Sequence, residues 1–331
     1  MKKIIITGGN GFIGSNLINF LLRKKFFIIN IDKNAYSKKS YLLRDIKNVN
    51  YKFYKLDINS KKIRNILNKY KPNAIFNLAA ETHVDRSIDS PKDFINSNII
   101  GTFNILEQMR NYEKKYKKKI RLIHISTDEV FGSLKTENAN ELFRFNPSSP
   151  YASSKACAEL LINSYKITYD LDCKITRCTN NFGSHQFPEK LIPKTILLAK
   201  QNKKIPIYGT GKNIRDWIYV DDHCNAIIKV IEKGTNESYN ISANNEIDNI
   251  TIVKKILKLM DKSEELIEFV DDRPGHDFRY SMNSTKIRTE LGWKELVNFD
   301  EALEKTVNWY LNNENWWMGL SQTLQNKKPW K

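Results

Sequence analysis

Short runs of mostly apolar, often β-branched residues alternate along this chain with stretches whose apolar positions recur every three or four residues. The runs at 3–7, 26–31, 74–78 and 122–126 suit strands covered by helices on both sides, and 51–55 alternates aromatic residues with Lys. Helical periodicity separates them: Leu17, Ile18, Leu21 and Leu22 after the first run, then 61–70, 94–109, and from Pro150 through Leu160, Leu161 and Tyr165. Strand and helix in turn predict an α/β fold built on a doubly wound parallel sheet, with 122–126 as the fifth strand, beside the ligand crevice. After a further strand at 172–178 the pattern breaks into loops and short helices, which read as a smaller C-terminal α/β substrate domain. The expected division is 1–180 for the first domain, to which the chain returns at about 216–242, with a late strand at Tyr239-Asn240-Ile241; the remainder of 181–331 forms the second, closed by a helix at 299–311. Trp316-Trp317-Met318-Gly319 and the tail behind it carry no helical signature, and partial burial of the tryptophans against the second domain is expected.

In open α/β sheets ligands sit beyond the carboxyl ends of the strands, so the residues after each run carry the candidate chemistry. After the first comes Gly8-Gly9-Asn10-Gly11-Phe12-Ile13-Gly14, where Gly8 would allow a tight turn, Gly11 would let backbone approach a diphosphate, and Gly14 would let the helix pack closely. The second strand runs into Asp32, whose carboxylate would accept ribose hydroxyls and repel a 2′-phosphate; this favours NAD over NADP, and Lys33 beside it tempers the preference. The fourth opens into Ala79-Ala80-Glu81-Thr82-His83, small enough for a flat nicotinamide ring or simply for tight helix packing. The fifth opens into Ser126-Thr127-Asp128-Glu129. Two adjacent carboxyl groups point in different directions and could serve as acid and base, or they merely start a loop. Tyr151 and Lys155 lie one helical turn apart on one face; an ammonium near the phenol would lower its pKa and make it a general base, although the spacing is common on surface helices.

The chain has 331 residues, 40% hydrophobic and 27% charged, enough for a large buried core, and no apolar run reaches bilayer length. Met1-Lys2-Lys3 leads straight into a strand, so a cytoplasmic protein without a membrane partner is expected. Cys157, Cys173, Cys178 and Cys224 and five scattered histidines show no metal-ligand spacing, which points to reduced thiols and no metal. The net charge of +17 raises the question of nucleic acid, but the lysines are spread through a chain equally rich in Asn and Ile. The densest cluster, 114–119, reads as an exposed loop, and no nucleic-acid partner is expected. A basic nucleic-acid-binding protein on a retained nucleotide-binding scaffold is the alternative from another class.

Taken together, these elements resemble the extended short-chain dehydrogenases/reductases and, within them, the nucleoside-diphosphate-sugar 4,6-dehydratases. The likeness covers residues 1–311 through the glycine motif, Leu78-Ala79-Ala80-Glu81-Thr82-His83-Val84-Asp85-Arg86-Ser87, Ser126-Thr127-Asp128-Glu129-Val130, Tyr151 with Lys155, Phe187-Pro188-Glu189-Lys190-Leu191-Ile192-Pro193, Arg215-Asp216-Trp217 and Asp272-Arg273-Pro274-Gly275-His276-Asp277. Thr127-Asp128-Glu129 discriminates, because sister 4-epimerases and decarboxylases lack the carboxylate pair that elimination of water needs. The resemblance implies a Rossmann-type sheet, NAD as cofactor, and dehydration of dTDP-glucose, or alternatively UDP-glucose, by oxidation at C4, loss of water across C5 and C6, and return of hydride to C6. It implies Thr127, Asp128, Glu129, Tyr151 and Lys155 as catalytic residues, with Asp128 protonated in a dry pocket beside an ionised Glu129. Implied cofactor contacts are Gly8, Gly11, Phe12, Ile13, Gly14, Asp32, Lys33, Asn34, Asp57, Ile58, Leu78, Ala79, Ala80, Thr82, Asn98, Tyr151, Lys155 and Asn181. Implied substrate contacts are Thr82, His83, Thr127, Asn180, Glu189, Lys190, Leu191, Pro206, Tyr208, Arg215, Asn249, Arg273 and His276. Two phosphates call for arginine forks, although Arg215 and Arg273 could also be ordinary surface cations. A homodimer through helices at about 98–110 and 151–169 is implied as well. Phe131 and Phe182 stand where the family usually has Tyr, Ser184 where Pro is usual and Thr82 where Ser is common; none of these touches the acid–base set.

Overall fold

The computed structural model describes residues 2–34, 43, 48–235 and 238–318. Among these, the strands are β1 (Lys3–Thr7), β2 (Phe27–Asp32), β3 (Tyr51–Lys55), β4 (Ala74–Asn77), β5 (Arg121–Thr127) and β6 (Cys173–Cys178). They continue with β7 (Asn180–Phe182), β8 (Ile205–Tyr208), β9 (Ile214–Tyr219), β10 (Ser238–Ile241), β11 (Glu246–Asp248) and β12 (Ile267–Val270). Successive side chains of a strand leave by opposite faces, so Ile4 and Ile6 enter one hydrophobic layer while Ile5 enters the other, all three fully buried. The resulting sheet is seven-stranded and parallel, in the order β10-β6-β5-β4-β1-β2-β3. The order reverses at β1: the chain moves outward through β2 and β3 and then returns to β4 on the other side. The loops after β1 and β4 therefore diverge and leave a crevice at the carboxyl edge.

Helices cover both faces. On one lie α1 (Phe12–Arg23) and two helices from later in the chain, 220–233 and 285–291, meeting through Leu17, Ile18, Leu21, Ile227, Ile228 and Ile287. On the other lie α2 (Ile63–Tyr70), then, beyond α3 (Val84–Asp89), α4 (Gly101–Tyr116) and α5 (Pro150–Tyr169), meeting through Ile66, Leu67, Ile105, Met109 and Ile162. The sequence marks the start of α5 clearly: the Ser149 hydroxyl accepts from the Ala152 N–H at 3.1 Å, and Pro150 takes the first helical position.

A second core gathers around α6 (Leu191–Lys200), the late helix 249–259 and the helix 299–312. Two small sheets frame it: β9 lies between parallel β7 and antiparallel β11, and β8 pairs with β12. In chain order the helices behind α6 are α7 (Val220–Lys233), α8 (Asn249–Leu259), α9 (Thr285–Leu291), α10 (Phe299–Asn312) and the short α11 (Glu314–Trp317).

Two expectations need correction. The lysine run 114–119 is not simply a loop: α4 continues through Tyr116 and ends only where Lys117 turns left-handed at φ 53°. Solvated lysines do not interrupt a helix, and the buried Tyr112, with the Tyr116 ring tilted against it 4.8 Å away, anchors its last turn. Trp316 and Trp317 lie in a helical turn, α11, and both are buried in the second core. The tail 319–331 lies outside the described residues. No described helix is long and apolar enough to cross a membrane.

One buried ion pair locks α5 to the sheet. Glu159 and Arg177 meet at 2.7 Å with side-chain exposures of 0% and 4%, and the guanidinium lies over Phe131 at 5.1 Å. Removing one member of such a pair strands a desolvated charge. Glu159→Ala is therefore expected to lower unfolding stability by about 3–5 kcal/mol, read as a lower midpoint in denaturant titration.

Candidate active site

The crevice at the carboxyl edge is a cavity whose floor is the loop after β1. Gly8 sits at φ 69°, and a Cβ there would lie 2.6 Å from the Ala79 nitrogen. A Cβ on Gly14 would lie 2.4 Å from the Gly8 oxygen, so α1 can start this close to the strand only without a side chain. Gly11 caps α1 without a side-chain hydrogen bond, leaving the first N–H groups of the helix turned toward the cavity that Gly8, Gly11, Phe12, Ile13 and Gly14 line. Unsatisfied N–H groups at the positive end of a helix form an anion cradle, and the donor set fits a diphosphate.

At the end of β2, Asp32 lines the same cavity and accepts from the Asn10 N–H at 3.0 Å and the Asn34 N–H at 2.7 Å. Burial raises its pKa, and these backbone donors pull the other way. Lys33 pairs with Glu81 at 3.0 Å, which neutralises the charge that counted against NAD. Asp57, Ile58, Leu78, Ala79, Ala80, Thr82 and Asn181 complete this part of the lining. Two residues of the expected cofactor set do not line it. Asn34 is held by Asn10 at 2.7 Å behind Asp32. Asn98 is buried with its amide closed around the Glu81 backbone, accepting from its N–H at 2.9 Å and donating to its carbonyl at 3.0 Å, while a third bond reaches Ser154. Asn98 thus braces the loop after β4 from behind.

At the end of β5 the strand closes into a single 3₁₀ turn, Asp128–Phe131, capped by Thr127. Asp128 is buried; its Oδ1 accepts from Thr127 at 3.0 Å and its Oδ2 has no partner among the described residues. Burial, and then the neighbouring Glu129, push its pKa up to about 8. Glu129 turns the other way. Burial raises its pKa too, but Arg273, Arg215 and Lys190 oppose the rise, and the Tyr280 hydroxyl lies 3.4 Å from its carboxylate. Neighbours in sequence therefore occupy different electrostatic surroundings.

Tyr151 comes from the first turn of α5 and shares the cavity with both carboxyls. Burial and Glu129 hold its phenol well above the ordinary value, against a hydrogen bond with Thr127. The expected effect of Lys155 on this phenol is not what the structure contains. The Lys155 ammonium reaches back to β5, donating to the Ile125 carbonyl at 2.6 Å and standing 3.3 Å from His124 Nε2, and burial lowers its pKa to about 8. One turn of helix puts two residues on one face, but a long side chain goes where a buried carbonyl needs a donor.

Of the expected substrate residues, Thr82, His83, Thr127, Asn180, Glu189 and Lys190 line the cavity. Tyr208, Arg273 and His276 form an adjoining network around Asp85. Arg273 donates to Asp85 at 2.6 Å, the Tyr208 hydroxyl donates to it at 3.2 Å, and His276 pairs with Asp272 at 2.6 Å. Although burial works against it, Arg273 holds the Asp85 carboxyl below the usual range. Arg215 is no surface cation. Its guanidinium is buried over the Tyr280 ring at 4.3 Å and donates to the carbonyls of Ile214, Asp277 and Phe278. Leu191, Pro206 and Asn249 do not line the cavity: Leu191 opens α6, Pro206 is buried in β8 opposite Glu268, and Asn249 starts α8 with its N–H bonded to Asn213. Sequence reasoning missed Asp85 as the partner of Arg273, Glu81 as the partner of Lys33, and His185 and Trp316 in the cavity wall. The first two lay inside a quoted motif, whereas the last two carried no local signal.

The sequence matches the family described as GDP-mannose 4,6 dehydratase over residues 5–306. It is 43% identical to dTDP-glucose 4,6-dehydratase of Escherichia coli, with 95% of each chain covered. The chain belongs to the dTDP-glucose 4,6-dehydratase family. Two solved structures of that name resemble it closely. The Bacillus anthracis protein, in complex with NAD, has a TM-score of 0.88 at 41% identity, covering 97% of this chain and 100% of the other. The Streptomyces venezuelae protein, with NAD bound, has a TM-score of 0.90 at 35% identity, covering 96% and 99%. The likeness thus extends through both cores.

The position of Asp128 has a measurable consequence. The folded chain holds a proton on this carboxyl up to about pH 8, which the unfolded chain releases near 3.8. Its contribution to stability therefore declines as pH rises between those two values. Asp128→Asn is expected to flatten that slope in denaturant titrations between pH 4.5 and 8, and parallel curves for both proteins would contradict it.

Proposed function

We propose that the protein converts dTDP-glucose into its 4-keto-6-deoxy derivative, with NAD recycled in each turnover. The observation that carries this reading is the split carboxyl pair, Asp128 held neutral and Glu129 facing cations, beside Tyr151 in a cavity floored by a diphosphate cradle. The names of the relatives at about 43% identity support the substrate, and the NAD in the Bacillus anthracis structure supports the cofactor. Asp32, with Lys33 occupied by Glu81, favours NAD over NADP.

The chemistry that NAD would supply when bound is reversible hydride transfer, acceptance from C4 and later donation to C6, and, while oxidised, a positive charge that favours a phenolate. The cradle at the start of α1 and Asp32 would hold it, with Ala79 and Ala80 leaving room for the ring. Tyr151 then takes the proton of the C4 hydroxyl. Lys155 serves this step as a strut, tying the first turns of α5 to the end of β5. Once C4 is a ketone, the C5 proton is acidic and Glu129 removes it. Asp128 gives its proton to the C6 hydroxyl, which leaves as water, and Glu129 returns its proton to C5. Arg215, Arg273 and Lys190 supply positive charge for the substrate diphosphate on the Glu129 side.

We also read the working unit as a homodimer. The outer faces of α4 and α5 and the turn before them expose Ile95, Ile100, Phe103, Leu160, Ile167 and Tyr169, an apolar surface that a second copy would cover. Its four cysteines are free, which suits the reducing cytoplasm, where we place the protein.

Incubation with dTDP-glucose is expected to yield an alkali-labile keto sugar without net NADH, whereas steady accumulation of NADH would mean a simple dehydrogenase. UDP-glucose in the same assay should be turned over at least about tenfold less efficiently. Glu129→Gln is expected to stall with reduced cofactor bound, and Tyr151→Phe never to reduce it; normal turnover by both would overturn the assigned roles. The rate should fall as pH rises through about 8, where Asp128 loses its proton.

A further inference from the structure

Near the carboxyl ends of β1, β4 and β5 a row of polar side chains crosses the sheet and ends on α5. Thr7, Asn77 and His124 are register partners on these neighbouring strands, and all three are buried, as are Thr102 and Lys155 beside them. Buried polar atoms need partners, so the protons in such a row can be followed one by one. The Ala79 N–H donates to Thr7 Oγ1 at 3.3 Å, and the Thr7 hydroxyl donates to Asn77 Oδ1 at 2.7 Å. Thr102 gives its own proton to the Asn98 carbonyl at 2.7 Å, so it accepts from Asn77 Nδ2 at 3.3 Å. The second amide proton of Asn77 points at His124 Nδ1, 3.1 Å away. Turning this amide over would set Oδ1 against the Thr102 oxygen and leave the Thr7 proton without an acceptor among the described residues. Asn77 Nδ2 can only donate, and His124 Nδ1 therefore accepts.

With Nδ1 accepting, the neutral ring carries its proton on Nε2, which stands 3.3 Å from Lys155 Nζ. Burial holds the imidazole neutral, far below its ordinary pKa. An N–H that faces an ammonium sets donor against donor. An amine, in contrast, offers a lone pair to His124 and keeps an N–H for the Ile125 carbonyl at 2.6 Å, so every group in the row is satisfied. The other titratable groups around Lys155 supply no counter-charge. Glu159, one turn along α5, has both oxygens on Arg177, and Cys178 on β6 has its thiol pushed up to about 12. Tyr151, which shares the cavity, is held protonated by burial. Lys155 makes no ion pair among the described residues.

We propose that His124 is a positioning residue that donates its Nε2–H to Lys155 and so favours the uncharged amine of that side chain over the ammonium. The consequence for the cofactor rests on the reading of NAD given above. Lys155 lines the cavity together with Tyr151, Ala79 and Ala80. An ammonium there would oppose the positive charge of an oxidised nicotinamide and favour the reduced form, whereas an amine does not. An enzyme that ends each turnover with oxidised cofactor is served by the amine.

The test is NMR of the full-length protein carrying nitrogen-labelled histidine and Cε-labelled lysine, with His124→Phe and Lys155→Met identifying the two signals. His124 is expected as the Nε2–H tautomer, and Lys155 is expected to titrate well below the other lysines. An Nδ1–H tautomer would overturn the proposal, because Nε2 would then accept from an ammonium. In His124→Phe the Lys155 midpoint should rise by about one pH unit or more; an unchanged midpoint would also overturn it. If His124→Phe fails to fold, His124→Gln identifies the histidine signal and the wild-type tautomer decides. Competition between NAD and NADH at pH 8 reads the consequence: His124→Phe should shift its preference toward NADH by about tenfold. A raised midpoint with unchanged preference would overturn the cofactor consequence alone. A wild type that binds neither form would end the cofactor reading, while the tautomer and the lysine midpoint would still decide the role of His124.

Discussion

Two carboxyl groups on consecutive residues cannot both be buried and ionised without a large electrostatic cost, and this constraint organises the molecule. The solution lies in the backbone. β5 delivers the pair to the carboxyl edge of a sheet with helices on both faces, and the 3₁₀ turn that follows sends the two side chains into different surroundings. Asp128 goes inward, where Thr127 is its hydrogen-bond donor among the described residues, and burial keeps it protonated. Glu129 goes toward Arg273, Arg215 and Lys190, whose positive charge counters the desolvation that it suffers. Neither outcome would follow from the dipeptide alone.

The cations that make the difference come from far along the chain. Arg215 lies on β9 and Arg273 beyond β12, in the part of the molecule that folds around the second core, while Glu129 sits in the turn that follows a strand of the main sheet. Each arginine is fixed before any ligand arrives: Arg215 by three carbonyls and the Tyr280 ring, Arg273 by Asp85. Both guanidinium groups are desolvated and oriented by these partners, so the second core presents a preorganised positive surface to Glu129 rather than mobile side chains. Folding of that core and the electrostatics of the carboxyl pair are therefore coupled.

The struts behind the cavity follow the same logic. Asn98 closes both amide ends on the Glu81 backbone, and Lys155 bonds the Ile125 carbonyl in β5. Both are polar groups buried at the junction of helix and strand end, where regular secondary structure leaves backbone donors and acceptors without partners. Their side chains satisfy those groups and thereby tie the loop after β4 and the end of β5 to the helices behind them.

Local patterns were enough for the strands of the main sheet, though not for those of the two small sheets, for the helix start at Ser149-Pro150, for the glycine loop and for the position of Thr127-Asp128-Glu129 at a strand end. Each depends on interactions within a few residues: face alternation, a capping hydroxyl, the absence of a β-carbon, a polar break after an apolar run. What local pattern could not settle was where long or buried polar side chains find their partners. Lys155 chose a carbonyl over the phenol one turn away, Lys33 was neutralised by Glu81, Arg215 was buried, and Trp316 was carried into the cavity wall by α10 and α11. Those choices are made by groups distant in sequence that compete for the same desolvated space. Only the packed structure brings the competitors together, and so only the packed structure sets the charge and reach of each side chain in the site.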